Sequence, residues 1–202
     1  MADKKRIGIF GGTFDPPHVG HLILAEECRT QLSLDLLLWV VTDNPPHKRY
    51  TDVSPIEDRV ILVEKAIAGN PAFQVSRVDI DRPGPHYAID TVNILKNQYP
   101  GSEMYYLMGG DSLHDLPTWN KPLEFIRLCD GIGVMRRHAD RVDLESLEKV
   151  LPGVSDKVKI VEAPILEISS KQIRQRIAEG MGYRYYLQDA VYNAIDEMGM
   201  YQ

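Results

Sequence analysis

The sequence predicts an α/β fold, a doubly wound parallel sheet with a small helical segment at its C-terminal end. Short runs of apolar and β-branched residues alternate with stretches of helical periodicity along the whole chain, which is typical of β-α-β units rather than of a sandwich. The 202 residues suffice for a substantial core, and no internal repeat or low-complexity linker divides them. We therefore predict one domain over residues 1–202, with residues 165–202 as its helical C-terminal part.

Six short runs are predicted to form the strands of this sheet. They cover residues 6–10, 36–41, 73–78, 103–108, 131–135 and 158–161. An amphipathic run over residues 22–28 follows the first strand, and further helices are predicted to cross over the sheet after Tyr87, ending near residues 99–101, and over residues 123–128.

The clearest helix start between the strands lies at Ser54. Ser54 is predicted as an N-cap, with Pro55 at the first helical position and Glu57 as the capping-box acid. This helix is expected to end at Gly69.

The C-terminal part begins with a second capping box, in which Ser169 and Gln172 are three residues apart and Ile168 and Ile173 form a hydrophobic staple. The helix that starts at Ser169 is expected to continue to Gly180. A last helix is predicted over residues 189–198, closed by Gly199.

Composition excludes several classes of protein. The formal net charge of −6 provides no overall basic field that would draw the chain to nucleic acid or to an anionic membrane. The longest apolar run, residues 36–41, is far shorter than a membrane span, and residues 1–6 do not resemble a signal peptide, so we expect a soluble cytoplasmic protein. Cys28 and Cys129 lie in apolar surroundings without a metal-ligand pattern, which favours buried thiols and no metal site.

The densest candidate site is the segment from Gly11 to His21, between the first strand and the first helix. Glycines at such a corner let backbone N–H groups approach an oxyanion, and the helix that follows directs its positive end to the same point. His18 and His21 are three residues apart and would project from one helix face, with Gly20 between them leaving the approach open. A tight turn and a capping histidine would each explain part of this pattern, but neither requires the combination.

Three competing motifs fail on spacing. Phe10 stands where a dinucleotide fingerprint needs its middle glycine, and the Gly-Lys-Ser/Thr ending of a Walker loop is absent. A zinc protease needs two histidines four residues apart with a glutamate between them, and His18 and His21 do not fit. The histidines are therefore interpreted as hydrogen-bond donors to a phosphate.

The chain resembles the nucleotidyltransferase superfamily with the H-x-G-H signature and, within it, the bacterial nicotinate-nucleotide adenylyltransferases. The matching segments occur in the order known for that family and span nearly the whole chain; they cover residues 11–21, 44–48, 84–91, 110–113, 116–119 and 168–174. This resemblance implies a Rossmann-like sheet and transfer of the adenylyl group of ATP to nicotinate mononucleotide, without a covalent intermediate, in NAD biosynthesis.

The resemblance also implies residue roles on the ATP side. His21 and His18 would be the catalytic residues, with His21 acting on the developing charge at the α-phosphate. The remaining ATP contacts would come from the first turn, the C-terminal helix and the end of the fifth strand; they are Gly11, Gly12, Thr13, Phe14, Ser169, Ser170, Arg174 and Arg136.

On the mononucleotide side, Trp119 would stack on the cationic pyridine ring, with Tyr87 and Asp111 lining the same pocket and His47 and Lys48 binding the phosphate. Without the resemblance, Trp119 would be interpreted as a core residue under a loop. Four positions depart from the usual pattern of the family; they are His86, Ala88, Asn120 and Gln188.

The mononucleotide phosphate has a second pKa of about 6, so it is largely dianionic at neutral pH and needs no general base. Mg²⁺ is expected to arrive with ATP, and the expected partners are ATP and nicotinate mononucleotide, with a homo-oligomer left open. Two alternatives remain: a nucleotidyltransferase of the same superfamily with another phosphorylated acceptor, and a catalytically silent nucleotide-binding module.

Overall fold

The computed structural model describes residues 4–42, 53–136 and 143–202. Its centre is a sheet of six parallel strands in the order β3-β2-β1-β4-β5-β6. The strands are β1 (Arg6–Gly12), β2 (Leu36–Val41), β3 (Phe73–Ser76), β4 (Glu103–Gly109), β5 (Gly131–Arg136) and β6 (Val158–Glu162). The predicted α/β class with a doubly wound parallel sheet is confirmed.

The described residues also form nine α-helices, which are α1 (Val19–Gln31), α2 (Ile56–Ile67), α3 (Ala88–Gln98), α4 (Gly110–Asp115), α5 (Pro122–Leu128), α6 (Leu144–Val150), α7 (Val154–Lys157), α8 (Ser170–Ala178) and α9 (Asp189–Met198). Two short 3-10 turns cover Leu116–Thr118 and Arg184–Tyr186. In the part of the chain described, no helix is long and apolar enough to cross a membrane.

Successive side chains along the strands point to opposite faces of the sheet, where they form two separate hydrophobic cores. On β1, Ile7 and Ile9 face one cluster, whereas Phe10 faces the other. The Phe10 cluster packs against α1, α2, α8 and α9, and the Ile7 cluster packs against α3 to α7. The sheet is therefore covered on both faces, as a parallel sheet requires.

The chain order places a topological switch point between β1 and β4. From β1 the chain moves outward through β2 and β3, and it then returns to β4 on the other side of β1. In open parallel sheets, ligands bind outside the carboxyl ends of the strands at this point. The loop that follows Gly12 and the start of α4 after Gly109 lie there.

The prediction for the start of α2 was wrong. The N-cap position is Pro55, and no side chain caps the helix. Ser54 instead donates its backbone N–H to Asp15 and accepts a bond from Arg59 at its carbonyl, while Glu57 pairs with Arg77. Long-range partners thus replace the local capping box.

Other boundaries were wrong by smaller amounts. β1 continues through the two glycines to Gly12, and β3 ends at Ser76, two residues before the predicted end. No pattern in the sequence predicted α4, α6 or α7. The assignment of residues 1–202 to one domain stays a prediction.

Candidate active site

The Gly-Gly turn lies at the end of β1, next to the end of β2. Gly11 and Gly12 pair with the last two residues of β2, and the Thr42 N–H donates to the Gly12 carbonyl at 3.0 Å. A Cβ at Gly12 would lie 2.7 Å from the ring of Phe14, so glycine is required there by the close approach of that ring. At Gly11 the nearest atom to a Cβ would be the Tyr106 hydroxyl, at 3.7 Å.

The buried ring of Phe14 packs beneath this turn, on its core side. It adopts a left-handed backbone conformation with φ of 49°, and its side chain is only 2% exposed. Its ring contacts Trp39 at 5.0 Å and meets His21 edge-on at 5.1 Å, measured between ring centroids. The ring of Phe14 therefore supports His21 from the core side.

The two histidines of the motif lie one above the other at the start of α1. His18 is the N-cap residue, and its ring stacks on that of His21 with a centroid distance of 3.7 Å and an interplanar angle of 26°. The backbone N–H of His18 donates to Nδ1 of His21 at 3.2 Å, and the N–H of His21 donates to the His18 carbonyl at 2.9 Å. Because Nδ1 of His21 is an acceptor, a neutral His21 ring carries its proton on Nε2.

Burial keeps both rings neutral near pH 7. It lowers the pKa of His18 to about 4. Burial, with a smaller contribution from His18, also holds the pKa of His21 well below its usual value. Nδ1 of His18 is buried and has no hydrogen-bond partner among the described residues, a situation that is uncommon in proteins and that occurs at functional sites.

Gly20 lies directly against the His18 ring. A Cβ at this position would lie 3.0 Å from Nδ1 and 3.1 Å from Cε1 of His18. The glycine therefore makes room for the His18 ring over the first turn of α1, and its role in leaving the approach open to a ligand stays a prediction.

The start of α8 lies against the same loop. The Ser170 hydroxyl donates to the Pro16 carbonyl at 2.8 Å, and Nη1 of Arg174 donates to the Asp15 carbonyl at 2.7 Å. Ser169 is the N-cap of α8 and accepts a bond from the Gln172 N–H at 3.2 Å, which confirms the predicted cap. The structure thus brings α8 and the histidine loop together.

These two helices differ from the other seven in their first turns. Neither α1 nor α8 has an acidic residue there, whereas each of the other α-helices in the described ranges has at least one. A first-turn carboxylate would neutralise the positive end of a helix and repel an anion. Two helix N-termini without such a carboxylate meet at one loop, an arrangement suited to an extended anion.

Two buried charged residues that the sequence analysis did not assign hold this loop. Arg59 is 1% exposed and donates to the carbonyls of Thr13, Thr42 and Ser54 at 2.8, 2.8 and 2.9 Å. It thereby joins the ends of β1 and β2 to the start of α2. Its position within an ordinary amphipathic helix carried no signal of this function.

The second buried charge is Asp15, which is 2% exposed. Its Oδ1 accepts a hydrogen bond from the Tyr201 hydroxyl at 2.7 Å, and its Oδ2 accepts one from the Ser54 N–H at 3.2 Å. Asp15 lies within the Gly11 to His21 segment, so its place in the motif was the one sequence signal of this role.

Trp119 lies beyond β4 on the other side of the switch point. It is half-buried, and its ring packs against Phe125 at 5.4 Å and edge-on against Tyr106 at 6.0 Å, measured between centroids. The Tyr106 hydroxyl lies close to Gly11, so Tyr106 connects the two halves of the site. Burial raises the pKa of the Tyr106 phenol, with Asp79 contributing to a smaller extent.

Other predicted residues are placed as follows. Tyr87 is the half-buried N-cap of α3 and packs against the same core cluster as Trp119, while Asp111 is exposed in the first turn of α4. Arg136 is the last residue of β5, and its side chain lies outside the described part. His47 and Lys48 also lie outside the described residues.

Within residues 4–42, 53–136 and 143–202, no group of three or more His, Cys, Asp or Glu side chains is arranged to hold a metal ion. His18 and His21 do not fit a chelating pair either, because their rings stack face to face and Nδ1 of His21 already accepts a hydrogen bond from the His18 N–H.

Sequence comparison matches the chain to a protein family and to similar proteins. A family model described as cytidylyltransferase-like matches residues 9–176. A protein of Thermomicrobium roseum named "Probable nicotinate-nucleotide adenylyltransferase" is 42% identical over 98% of this chain and 92% of its own length. A protein of the same name from Dehalococcoides mccartyi is 40% identical over 97% of both chains.

Solved structures share the fold. Plasmodium falciparum nicotinic acid mononucleotide adenylyltransferase complexed with APC superposes with a TM-score of 0.75, and the same protein complexed with NaAD superposes with a TM-score of 0.77. Each covers 98% of this chain and 97% of its own, at 18% sequence identity.

Proposed function

The chain belongs to the nicotinate-nucleotide adenylyltransferases of the cytidylyltransferase-like family, and from this premise we propose how its residues carry out the reaction. The enzyme transfers the adenylyl group of ATP to nicotinate mononucleotide, which yields nicotinate adenine dinucleotide and pyrophosphate in NAD biosynthesis. The observation that carries the residue assignment is the meeting of two acid-free helix N-termini, those of α1 and α8, at the loop of the stacked histidines.

ATP lies with its phosphates between these two helix starts. The N-terminus of α1 and His18 bind from one side, and Ser169, Ser170 and Arg174 bind the β- and γ-phosphates from the other. The backbone at Gly11, Gly12, Thr13 and Phe14 completes the ATP site, with Arg136 at the nucleotide end. The ring of Phe14 does not contact ATP in this proposal, because it is buried beneath His21.

The reaction is an in-line displacement. A phosphate oxygen of the mononucleotide forms a bond to the α-phosphorus of ATP, the bond from that phosphorus to its bridging oxygen breaks, and pyrophosphate leaves with the electron pair. The attacking phosphate is already largely dianionic at neutral pH, so positioning and charge stabilisation supply the catalysis.

His21 is the residue proposed to act on the reacting phosphate. Its Nδ1 is held by the His18 N–H, so Nε2–H is the donor that is left to meet the negative charge that develops on the α-phosphate and the bridging oxygen. The stack with His18 and the edge contact with Phe14 fix the ring in advance. The donor therefore needs little reorganisation when the charge appears.

The mononucleotide binds across the switch point. Trp119 stacks on the pyridine ring, whose nitrogen is positively charged, while Tyr87 and Asp111 line the pocket. His47 and Lys48 bind the mononucleotide phosphate in the same proposal. Since Trp119 already packs on Phe125 and Tyr106, its ring is held rigidly for stacking.

The reaction of a triphosphate calls for a divalent metal ion, and we propose that Mg²⁺ enters as the complex with ATP. The substrate is then Mg-ATP, and the chain contributes hydrogen-bond donors and the guanidiniums of Arg174 and Arg136 rather than a set of carboxylate ligands. A cytoplasmic location and the absence of nucleic-acid or membrane partners stay predictions.

Pyrophosphate release from Mg-ATP tests the function directly. The purified protein is assayed with nicotinate mononucleotide, nicotinamide mononucleotide and phosphopantetheine as parallel acceptors. We expect release mainly with the nicotinate compound. Release with phosphopantetheine would keep the histidine chemistry but refute the Trp119 pocket, and silence with all three, together with ATP binding, would favour a nucleotide-binding module.

Arg174→Ala, with Arg176→Ala as its control, tests the α8 side of the ATP site. Both arginines lie on α8, but Arg176 donates to the Gly182 carbonyl and packs over Tyr186 instead of reaching the histidine loop. Arg174→Ala should raise KM for ATP, and Arg176→Ala should leave it unchanged. Equal effects of the two variants would remove Arg174 from the proposed ATP site.

A further inference from the structure

A tyrosine far from the sequence motifs reaches the histidine loop. Tyr201 follows α9, and its hydroxyl donates to Oδ1 of Asp15 at 2.7 Å, across 186 positions of sequence. We propose that Tyr201 is a positioning residue for ATP binding, which holds the Asp15 carboxylate so that Arg174 stays available to the phosphates. This inference rests on the proposed role of Arg174 as an ATP ligand.

The Asp15 side chain is only 3% exposed, so its oxygens depend on protein donors. Oδ1 takes the Tyr201 hydroxyl, and Oδ2 takes the Ser54 N–H at 3.2 Å. Each oxygen thus has one protein donor, and Oδ2 lies 3.8 Å from Nη1 of Arg174, which is a charge contact without a short hydrogen bond.

Arg174 is held through a different atom of the same residue. Its Nη1 donates to the backbone carbonyl of Asp15 at 2.7 Å. A guanidinium has five N–H donors in a planar fork, and such a fork frequently binds a carboxylate in a bidentate manner. The bonds of Asp15 to Tyr201 and Ser54 oppose this pairing, so the charge of Arg174 is left for an incoming phosphate.

The segment around Tyr201 is built to present this hydroxyl. Gly199 ends α9 in the left-handed conformation, and the Met200 N–H donates to the Ile195 carbonyl at 3.0 Å while the Met200 side chain is buried. Tyr201 itself has a φ of 65°, a left-handed conformation that is uncommon for residues other than glycine and persists where the surroundings hold it.

The Tyr201 hydroxyl also keeps its proton, so it remains a hydrogen-bond donor. Burial, together with the charge of Asp15, raises the pKa of Tyr201, so the phenol stays protonated throughout the neutral range. Tyr201→Phe would remove this donor while it preserves the ring. The freed Oδ1 of Asp15 would then pair with Arg174 and compete with ATP for it.

The test is Mg-ATP binding by isothermal titration calorimetry for the whole protein and four variants: Tyr201→Phe, Arg174→Ala, the double variant, and Tyr192→Phe as control. The Tyr192 ring lies on α9 and packs on Tyr183 rather than on the Asp15 loop. We expect Tyr201→Phe to weaken ATP binding roughly fivefold to tenfold and Tyr192→Phe to leave it unchanged. Because Tyr201 acts through Arg174, the double variant should bind no more weakly than Arg174→Ala alone.

Kinetics provide the second measurement. Tyr201→Phe should raise KM for ATP by a similar factor while kcat and KM for the mononucleotide stay within about twofold. A lower melting temperature with unchanged ATP affinity would refute the proposal, because that is the result of a merely structural contact. The proposal would also be refuted if the losses of ATP affinity caused by Tyr201→Phe and Arg174→Ala multiply in the double variant.

Failure of the underlying assignment has a separate signature. If Arg174→Ala leaves ATP binding intact, the proposed ATP role of Arg174 fails, and the inference fails with it. If Arg174→Ala weakens binding but Tyr201→Phe does not, only the inference about Tyr201 is overturned.

Discussion

Replacing His21 by alanine should lower kcat roughly 10²- to 10³-fold, with little loss of ATP affinity. The structure leaves Nε2–H of His21 as its donor, because Nδ1 accepts from the His18 N–H at 3.2 Å. The ring is held between the stacked His18 ring at 3.7 Å and the edge contact with Phe14 at 5.1 Å. One preorganised donor to a developing oxyanion is worth about 3–4 kcal/mol, which corresponds to this loss of rate.

The assay is pyrophosphate release at saturating Mg-ATP and nicotinate mononucleotide, with ATP affinity measured separately. Two further variants locate the donor atom. The side-chain amide nitrogen of glutamine reaches approximately the position of Nε2, whereas that of asparagine reaches the position of Nδ1. His21→Gln should therefore retain part of the rate, and His21→Asn should behave like His21→Ala.

Two results would refute this reasoning. A His21→Ala enzyme that turns over within about threefold of the wild type would remove His21 from the chemical step. An asparagine variant that is faster than the glutamine variant would assign the donor to Nδ1, against the hydrogen bond seen in the structure.

Four other predictions follow from the same geometry. Gly20→Ala should lower kcat about tenfold or more through displacement of the His18 ring while stability is kept, and full activity would contradict this. Trp119→Ala should raise KM for the mononucleotide at least about tenfold, with a smaller rise in Trp119→Phe and none in KM for ATP; equal values in all three enzymes would leave Trp119 a core residue. Arg59→Met should cost about 3 kcal/mol or more in urea unfolding, since three carbonyls lose their donor, against under about 0.5 kcal/mol for the exposed Arg127→Met. Lowering the pH from 7 to 5 should lower the free energy of unfolding by about 2 kcal/mol through His18 alone. The pKa of His18 is about 4 in the folded protein and near 6.5 in the unfolded chain, so only the unfolded chain takes up the proton in this range. If His18→Gln leaves the pH dependence of the unfolding free energy unchanged, this prediction is wrong.

The sequence predicted those elements whose signal is local. β2 has the predicted bounds because six buried apolar residues follow one another between Asp35 and Thr42. The bounds of α9 were likewise correct, since Gly199 ends the helix in a left-handed conformation that glycine adopts readily. α4 was missed because it begins at Gly110 directly after β4, with no capping residue to mark its start.

The capping boxes at Ser54 and Ser169 show where local reasoning stops. Both had the same sequence pattern, yet only Ser169 caps its helix. At Ser54 the backbone groups are taken by Asp15 and Arg59, which the chain brings from 39 positions before it and five after it. Contacts of this kind depend on tertiary packing, so no local pattern could have predicted the loss of the cap.

The same limit applies to the site. The pairing of His18 and His21 could be predicted because three residues and one helix start fix their relation, although their stacking could not. The bonds that hold the loop from Arg59 and Tyr201 cross 46 and 186 positions, and neither residue stands in a recognisable motif. The motif therefore indicated which groups are proposed to meet the phosphates, and the fold was needed to show what holds them.

The electrostatic design of the site follows from this division of roles. Buried histidines that are neutral near pH 7 supply directional donors, while the positive character comes from the starts of α1 and α8 and from Arg174. The carboxylate of Asp15, which lies beside Arg174, is engaged by Tyr201 and Ser54, and we propose that this limits its pairing with the guanidinium. In the proposed site, a polyphosphate would therefore meet fixed dipoles and the Arg174 cation without first displacing a short carboxylate hydrogen bond. The groups that hold it would need little rearrangement when charge shifts from the attacking to the leaving oxygen.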